Sequence, residues 1–367
     1  MLQKALVLLL VVASIAGFTS CGTTANHYVY ATLPAANQII AYREDPNSGV
    51  LTQIAGSPYT VGDGAVSLAL HPSGKFLYAA NPGQNENDIS LFTIASNGDL
   101  TEVFPRTSVA PNGSQPNLLR IDSAGAFLYV ANTNSQNISV FSIASSNGAL
   151  TPVAGPPVFL GATPLNMQLT PSGNFLFVSI PSQTSGTILS FSVNSGVLTL
   201  VSGINARGLN LDGLAIDPSG TYLYSANFGS NSISIFKIGT TTSPGALTEV
   251  SGSPLTSGYT APVALILDPK GQFLYVANQG SNNVAAYSIN STTALPNILT
   301  TSTTTGAFAT ETSPSFLVSD PSGKYLYVGN QGSSAGIQAF SVSSGNLTAF
   351  STYGVGNTPS SIVVLGK

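Results

Sequence analysis

A short motif built on a Pro-Ser-Gly turn returns along this chain at a nearly constant interval, and such a period admits only a repeat architecture. Its last full copy runs Pro321-Ser322-Gly323-Lys324-Tyr325-Leu326-Tyr327-Val328-Gly329-Asn330, and the copy before it runs Pro269-Lys270-Gly271-Gln272-Phe273-Leu274-Tyr275-Val276-Ala277-Asn278. The turn glycines stand at Gly74, Gly125, Gly173, Gly220, Gly271 and Gly323, spaced 51, 48, 47, 51 and 52 residues apart. A headless copy opens the repeats at His27-Tyr28-Val29-Tyr30. A second signature, Gly-x-Leu-Thr, starts at Gly49, Gly98, Gly148, Gly196, Gly245 and Gly345, and has lost its glycine at Leu295 to Thr300. Between the two signatures lie alternating runs such as Ile89 to Ile94, Ile138 to Ile143 and Ile233 to Ile238. Tyr42, Phe92, Phe141, Phe191, Phe236, Tyr287 and Phe340 hold one equivalent position in those runs. Period-two alternation rich in β-branched and aromatic residues, bounded by Gly, Asn and Ser, predicts strands.

Each unit supplies four: one before the Pro-Ser-Gly turn, one after it, the alternating run, and one after Gly-x-Leu-Thr. Four-stranded units arranged radially are propeller blades, which limit exposed strand edges by closing into a ring. Seven inner strands can be counted, ending near Leu70, Ile121, Leu169, Ile216, Leu267, Ser319 and Leu365. The fold class is therefore all-β: a single seven-bladed β-propeller over 27–367, with four antiparallel strands per blade. The chain begins with strands two to four of one blade and ends with a lone inner strand, Ser360 to Leu365. That C-terminal strand is expected to complete the N-terminal blade.

Ahead of the propeller, Lys4 and an apolar run from Ala5 to Phe18 are too short to span a bilayer and read as a signal peptide over 1–20. Phe18-Thr19-Ser20-Cys21-Gly22 resembles a bacterial lipobox. Cys21 is then a lipidated N-terminus, with 21–26 as the tether, and the protein is expected on the cell envelope, touching the membrane only through that lipid. Cys21 is also the sole cysteine, which rules out a disulfide within the chain. Charged residues make up 7% of the chain, against about a quarter in average proteins, so the polar surface is built of Ser, Thr, Asn, Gln and Gly. A net charge of −4 argues against nucleic acid as a partner, since such proteins carry a basic footprint.

Chemistry-bearing residues are sparse. With two histidines and one cysteine, a Cys/His zinc site is excluded by count, and no metal or cofactor is expected. Asn85 to Asp88 reads as a solvated loop tip rather than a calcium loop. His71 precedes a Pro-Ser-Gly turn where other repeats place Asp122, Asp217, Asp268 and Asp320, so all five read as turn residues capping backbone N–H groups. His27 has no evident partner. Topology puts Asn81, Asn132, Asn227, Asn278 and Asn330 on the face opposite those turns. They are either a ring for a hydroxyl-rich ligand or turn residues tolerating left-handed geometry. Arg120 is the lone cation in any inner strand, and Gln168 is its counterpart in the next blade. A guanidinium there must be paired, by a ligand or by backbone carbonyls and water.

The repeated Gly-x-Phe-Leu-Tyr-Val-Ala-Asn core, as in 271–278, resembles the lactonase family of seven-bladed propellers, which includes 6-phosphogluconolactonase-like and YVTN-repeat proteins. The resemblance implies a Pro-His pair entering one inner strand and a Gly-Pro-Arg-His run entering another. Here those places hold Pro116-Asn117 and Asn210-Leu211-Asp212-Gly213, with Arg207 nearby but out of register. The missing groups favour a non-catalytic envelope platform, binding a neutral polyhydroxylated molecule or an envelope protein as a monomer. Its ligand residues would be Asn117, Arg120, Gln168 and the five asparagines. The alternative implied by the resemblance is a lactone hydrolase with a non-standard site drawn from Arg120, Asp212 and Arg207.

Overall fold

The computed structural model describes residues 27–83, 86–300, 305–332 and 336–366. The expected signal peptide, Cys21, the tether and Asn85 lie outside the described residues. Seven antiparallel sheets follow one another as blades, and among the described residues the only helical pieces are 3-10 turns at Pro34–Ala36 and Phe228–Ser230. Blades 2 to 7 occupy 67–108, 116–159, 166–205, 211–256, 262–309 and 314–354. Blade 1 is built from His27–Leu33, Gln38–Glu44 and Leu51–Gln53, and its inner strand is Ser361–Gly366 from the other end of the chain. Tyr28 pairs with Leu365, Tyr30 with Val363 and Thr32 with Ser361, so the three-plus-one closure is as expected.

The second strand of each blade is apolar on both faces because neighbouring blades cover both. Phe76–Asn81 and Tyr325–Asn330 are buried at every residue, whereas the outermost Leu100–Ser108 is largely exposed. The apolar core is accordingly not one mass but a set of seams between blades. Tyr28, Tyr30 and Ile39 of blade 1, for example, pack with Leu68, Leu77 and Phe92 of blade 2.

Five of the seven seams share a polar fastener. The second strand sends a tyrosine hydroxyl to the carbonyl of the left-handed residue in the next blade's outer turn. Tyr30 reaches Gly98 O at 2.9 Å, Tyr78 reaches Gly148 O at 2.7 Å, and Tyr327 closes the circle on Gly49 O at 2.9 Å. Where blade 4 has Phe177 in place of the tyrosine, Ser190 Oγ makes the bond to Gly245 O at 2.5 Å. Where Gly-x-Leu-Thr has lost its glycine, Ala294 takes the left-handed conformation at φ 60° and accepts from Tyr224 at 3.0 Å. Gly98 shows why glycine is otherwise required: its φ is +86°, and a Cβ there would lie 2.3 Å from the Tyr28 ring.

The Pro-Ser-Gly turns are capped as the sequence suggests. Asp217 Oδ1 accepts from Thr221 N and Tyr222 N at 2.7 and 2.6 Å, and Asp122 and Asp268 repeat the pattern. His71 caps its turn with its ring, at the amide two residues on. Nδ1 accepts from Ser73 N at 3.1 Å, and Nε2 lies 2.9 Å from Gly125 O of the next blade.

Two outcomes follow from this arrangement. Gly98→Ala should cost about 2–4 kcal/mol in chemical denaturation, from left-handed strain and collision with Tyr28, while Tyr30→Phe should cost only about 1 kcal/mol. Deleting the chain after Thr358 removes the inner strand of blade 1 and should abolish cooperative melting. A truncated protein that melts like the full chain would contradict the closure as a stability element.

Candidate functional site: the channel mouth

The inner strands line the central channel, and they are irregular at the end away from the Pro-Ser-Gly turns. In blade 3, Pro116 pairs with Asn132 and Leu118 with Ala131, leaving Asn117 as an extra, unpaired residue. Blades 6 and 7 repeat this at Val263 and Ser315. Blade 5 does so at Asp212-Gly213, between the Leu211–Asn227 and Leu214–Ser225 pairs. A bulge of this kind breaks the pairing and re-aims a side chain, and bulges concentrate beside active sites. The four strands thus place Asn117, Asp212, Val263 and Ser315 at one level of the channel mouth.

Asp212 is the titratable member of that set. It is partly buried and forms no ion pair among the described residues. Burial pushes its carboxyl up to about 7. A carboxyl poised near neutral pH in a cleft is suited to general acid–base work. Asn117, at the equivalent bulge two blades away, is also only partly buried, and its side-chain amide makes no hydrogen bond within the described fold. Gly213 beside Asp212 cannot be replaced by a side chain: a Cβ would lie 2.8 Å from Val263 O and 2.9 Å from Ala264 Cα of blade 6. The histidine that the family resemblance leads one to expect at this place is therefore sterically excluded by the close approach of the neighbouring inner strand.

The other candidates are dispersed. Arg120 lies toward the turn end of its strand, where Nε donates to Gln168 Oε1 at 3.2 Å and Nη1 to Leu119 O at 2.8 Å. Both side chains border a cavity of about 250 Å³ with Thr170 and Ile216. Burial lowers the guanidinium to about 10, so it stays charged at neutral pH. Arg120 and Asp212 form no ion pair with one another among the described residues. Arg207 is mostly exposed, and its Nε lies 3.4 Å from Glu249 Oε2. The structure thus corrects its expected role beside Asp212, because the guanidinium is drawn to an outer strand of blade 5. A larger cavity of about 490 Å³, bordered by Val109, Pro111, Val153 and Leu198 between outer strands, contains no titratable group.

The five asparagines need a further correction. Asn81, Asn132, Asn227, Asn278 and Asn330 are 0% exposed, closing the second strands inside the blades rather than facing a ligand. None has a positive φ, so the left-handed turn role is also not theirs. The amides of Asn81, Asn132, Asn227 and Asn278 brace the strand beside them, while Asn330 Nδ2 donates to Val328 O of its own strand. Asn132 Nδ2 donates to Asn137 Oδ1 at 2.8 Å and Ser139 Oγ at 2.9 Å, and Asn227 Nδ2 bonds Ser232 and Ser234 at 2.9 Å each. The acidic loop near Glu86 is likewise occupied internally, with Glu86 Oε1 2.9 Å from Arg106 Nη1 and Oε2 accepting from Asp63 N at 2.6 Å.

Comparison with known proteins places these features in a lineage. The family model described as lactonase, 7-bladed beta-propeller matches residues 23–163, 162–261, 206–310 and 253–364. A 6-phosphogluconolactonase of Formosa agariphila is 36% identical over 104 residues, a stretch covering 28% of this chain and 29% of that relative. The chain thus aligns with about three-tenths of that relative's own length, well under two thirds. Among solved structures, a putative 6-phosphogluconolactonase from Bacteroides fragilis superposes with TM-score 0.78 at 20% identity, covering 94% of this chain and 99% of that one. The periplasmic gluconolactonase PpgL of Pseudomonas aeruginosa does so with TM-score 0.76 at 17% identity, covering 93% and 99%. At such identities the superpositions speak for the fold. Since the family model accounts for nearly the whole length, the chain belongs to the lactonase family of seven-bladed β-propellers.

Proposed function

We propose that this chain is a lactone hydrolase that opens neutral sugar lactones at the channel mouth, with Asp212 as its general base. The observation that carries the reading is the Asp212 carboxyl itself: held at a bulge, unpaired, and raised by burial to about 7. The family and its relatives named as lactonases support the same chemistry, and a lactone needs little else. Asp212 takes a proton from a water molecule, and the water oxygen attacks the lactone carbonyl carbon. The ring C–O bond then breaks, and the proton passes to the departing ring oxygen, giving an open hydroxy acid. The free amide of Asn117 offers a donor for the carbonyl oxygen or a substrate hydroxyl.

A neutral substrate fits the charge pattern. On the mouth face Arg106 is held by Glu86 and Glu102, and Arg207 has Glu249 at 3.4 Å, so each of these cations already has a carboxylate beside it. Export behind a lipid anchor at Cys21 belongs to the same proposal, since an envelope enzyme meets free lactones rather than phosphorylated ones. The binding-platform reading retains one observation in its favour, the steric exclusion of a histidine beside Asp212.

The test is hydrolysis of gluconolactone and its 6-phosphate by the full-length protein, against uncatalysed opening. Asp212→Asn should lower the enzymatic rate by about 10²–10⁴-fold, while Arg120→Ala leaves it unchanged. Because the base must be ionised, kcat/KM for the wild type should rise through pH about 7 and level off above it. The raised carboxyl also fixes the sign for stability. Its favourable contribution is present at low pH and lost as pH rises through about 7, so Asp212→Asn should melt higher than wild type at pH 8. A folded protein without turnover on either lactone would leave a binding platform.

A further inference from the structure

One buried position of the third strand sets blade 1 apart from the other six. Where the third strands carry Ile94, Ile143, Val193, Ile238, Ile289 and Val342, blade 1 carries Glu44. Its side chain is 0% exposed, and neither carboxylate oxygen has a hydrogen-bond partner. Tyr327 lies beside it, but the single phenolic proton goes to Gly49 O at 2.9 Å. Two further buried groups face the same point. His27 Nδ1, also without a hydrogen bond, is 3.4 Å from Glu44 Oε2, and Asp320 of blade 7 completes a cluster whose donor atoms lie within 4.8 Å of one another. Asp320 Oδ1 accepts one bond, from Tyr325 N at 2.7 Å, and retains a lone pair, while Oδ2 is taken by Ser322 N and the Ser322 hydroxyl. No lysine or arginine forms an ion pair with either carboxylate among the described residues.

Two buried carboxyls facing one imidazole is an expensive arrangement unless something neutralises it, since each isolated buried charge is penalised by several kcal/mol. An aliphatic residue at position 44 would avoid that penalty, as it does in six other blades. We propose that His27, Glu44 and Asp320 form a binding site for a divalent cation of the zinc type, clamping blade 1 to blade 7 at the seam where the ring closes. The donor set is one imidazole nitrogen and carboxylate oxygens, which suits zinc. Glu44, with both oxygens free, can bind through two, giving four donors in all. At metal–ligand distances near 2.1 Å, zinc donors from separate residues stand about 3 to 3.5 Å apart, and His27 and Glu44 already lie 3.4 Å apart. Calcium needs six to eight oxygen ligands, more than this cluster provides. The location gives the ion a purpose: His27 pairs with Gly366 of the C-terminal strand, so one ion would secure both ends of the described chain against the last blade.

The test uses the full-length protein, freed of metal with EDTA and then given one equivalent of Zn²⁺. Bound metal is counted by mass spectrometry after desalting, and melting is followed in parallel. Wild type should retain one equivalent and gain about 5 °C. Glu44→Gln and His27→Gln should retain none and show no shift. Glu44→Ile, which copies the other blades, should fold, melt above metal-free wild type, and ignore zinc. Wild type that desalts without metal, or Glu44→Gln that keeps it, would overturn the site. So would chelation without effect together with a lower melting point for Glu44→Ile, since that pattern belongs to a plain His27–Glu44 ion pair.

Discussion

The propeller depends on a contact that no single blade can make for itself. An aromatic at the start of the second strand lies against the left-handed turn residue of the next blade, and in four of the seven seams a hydroxyl two residues on bonds that residue's carbonyl. Tyr28 and Tyr30 meet Gly98 in this way, as Tyr325 and Tyr327 meet Gly49. The two sequence signatures are thus the two halves of one joint, with the Phe-Leu-Tyr-Val run of one repeat built to meet the Gly-x-Leu-Thr of its successor. A blade with both faces apolar has no stable existence outside the ring, because each face needs a neighbour. The joint tolerates variation in its polar part. The Tyr129 and Tyr275 hydroxyls are buried without a partner, and the packing of ring on turn carries those seams.

That constraint separates the parts of the molecule that must be regular from those that need not be. Second and third strands are gripped on both faces and keep their register. The inner strands have one edge on the channel, and there the bulges at Asn117, Asp212, Val263 and Ser315 cost little because they break no inter-blade seam. Side chains placed on those bulges can change without disturbing the ring. This explains how a propeller can lose the histidine and arginine expected by resemblance and still offer a carboxyl at the mouth.

Periodicity made most of the fold legible. The second strands begin at Phe76, Phe127, Phe175, Tyr222, Phe273 and Tyr325, the positions the repeat indicates, and the closure follows from counting strands. What repetition conveys is height along a strand, and it says less about direction. The five asparagines stand at the mouth-face end of their strands, as expected, yet are buried within the blades, where Asn132 and Asn227 find Ser partners on the strand beside them. Arg207 shows the same limit for a loop, where a partner at Glu249 decides orientation. Asp212 was visible as a departure from a family pattern, but its poise comes from burial at a bulge, which no spacing reveals. Glu44 was missed for the opposite reason. The aromatic two residues before it recurs faithfully, and attention to what repeats passes over the one place where an aliphatic has become a carboxylate.

Scarcity of charge is what makes those departures informative. In a chain with 7% charged residues, an ionisable group inside a strand is not background, and three in this protein meet three different fates. Arg120 is held by an amide oxygen and a backbone carbonyl. Asp212 is partly buried and unpaired among the described residues, and burial raises its carboxyl to about 7. Glu44 is fully enclosed with both oxygens unused, next to an imidazole nitrogen equally unused. Neither solvent nor a side-chain donor answers for it, and the same position in every other blade shows that the fold does not require it. A group the fold neither needs nor satisfies calls for a partner from outside the polypeptide.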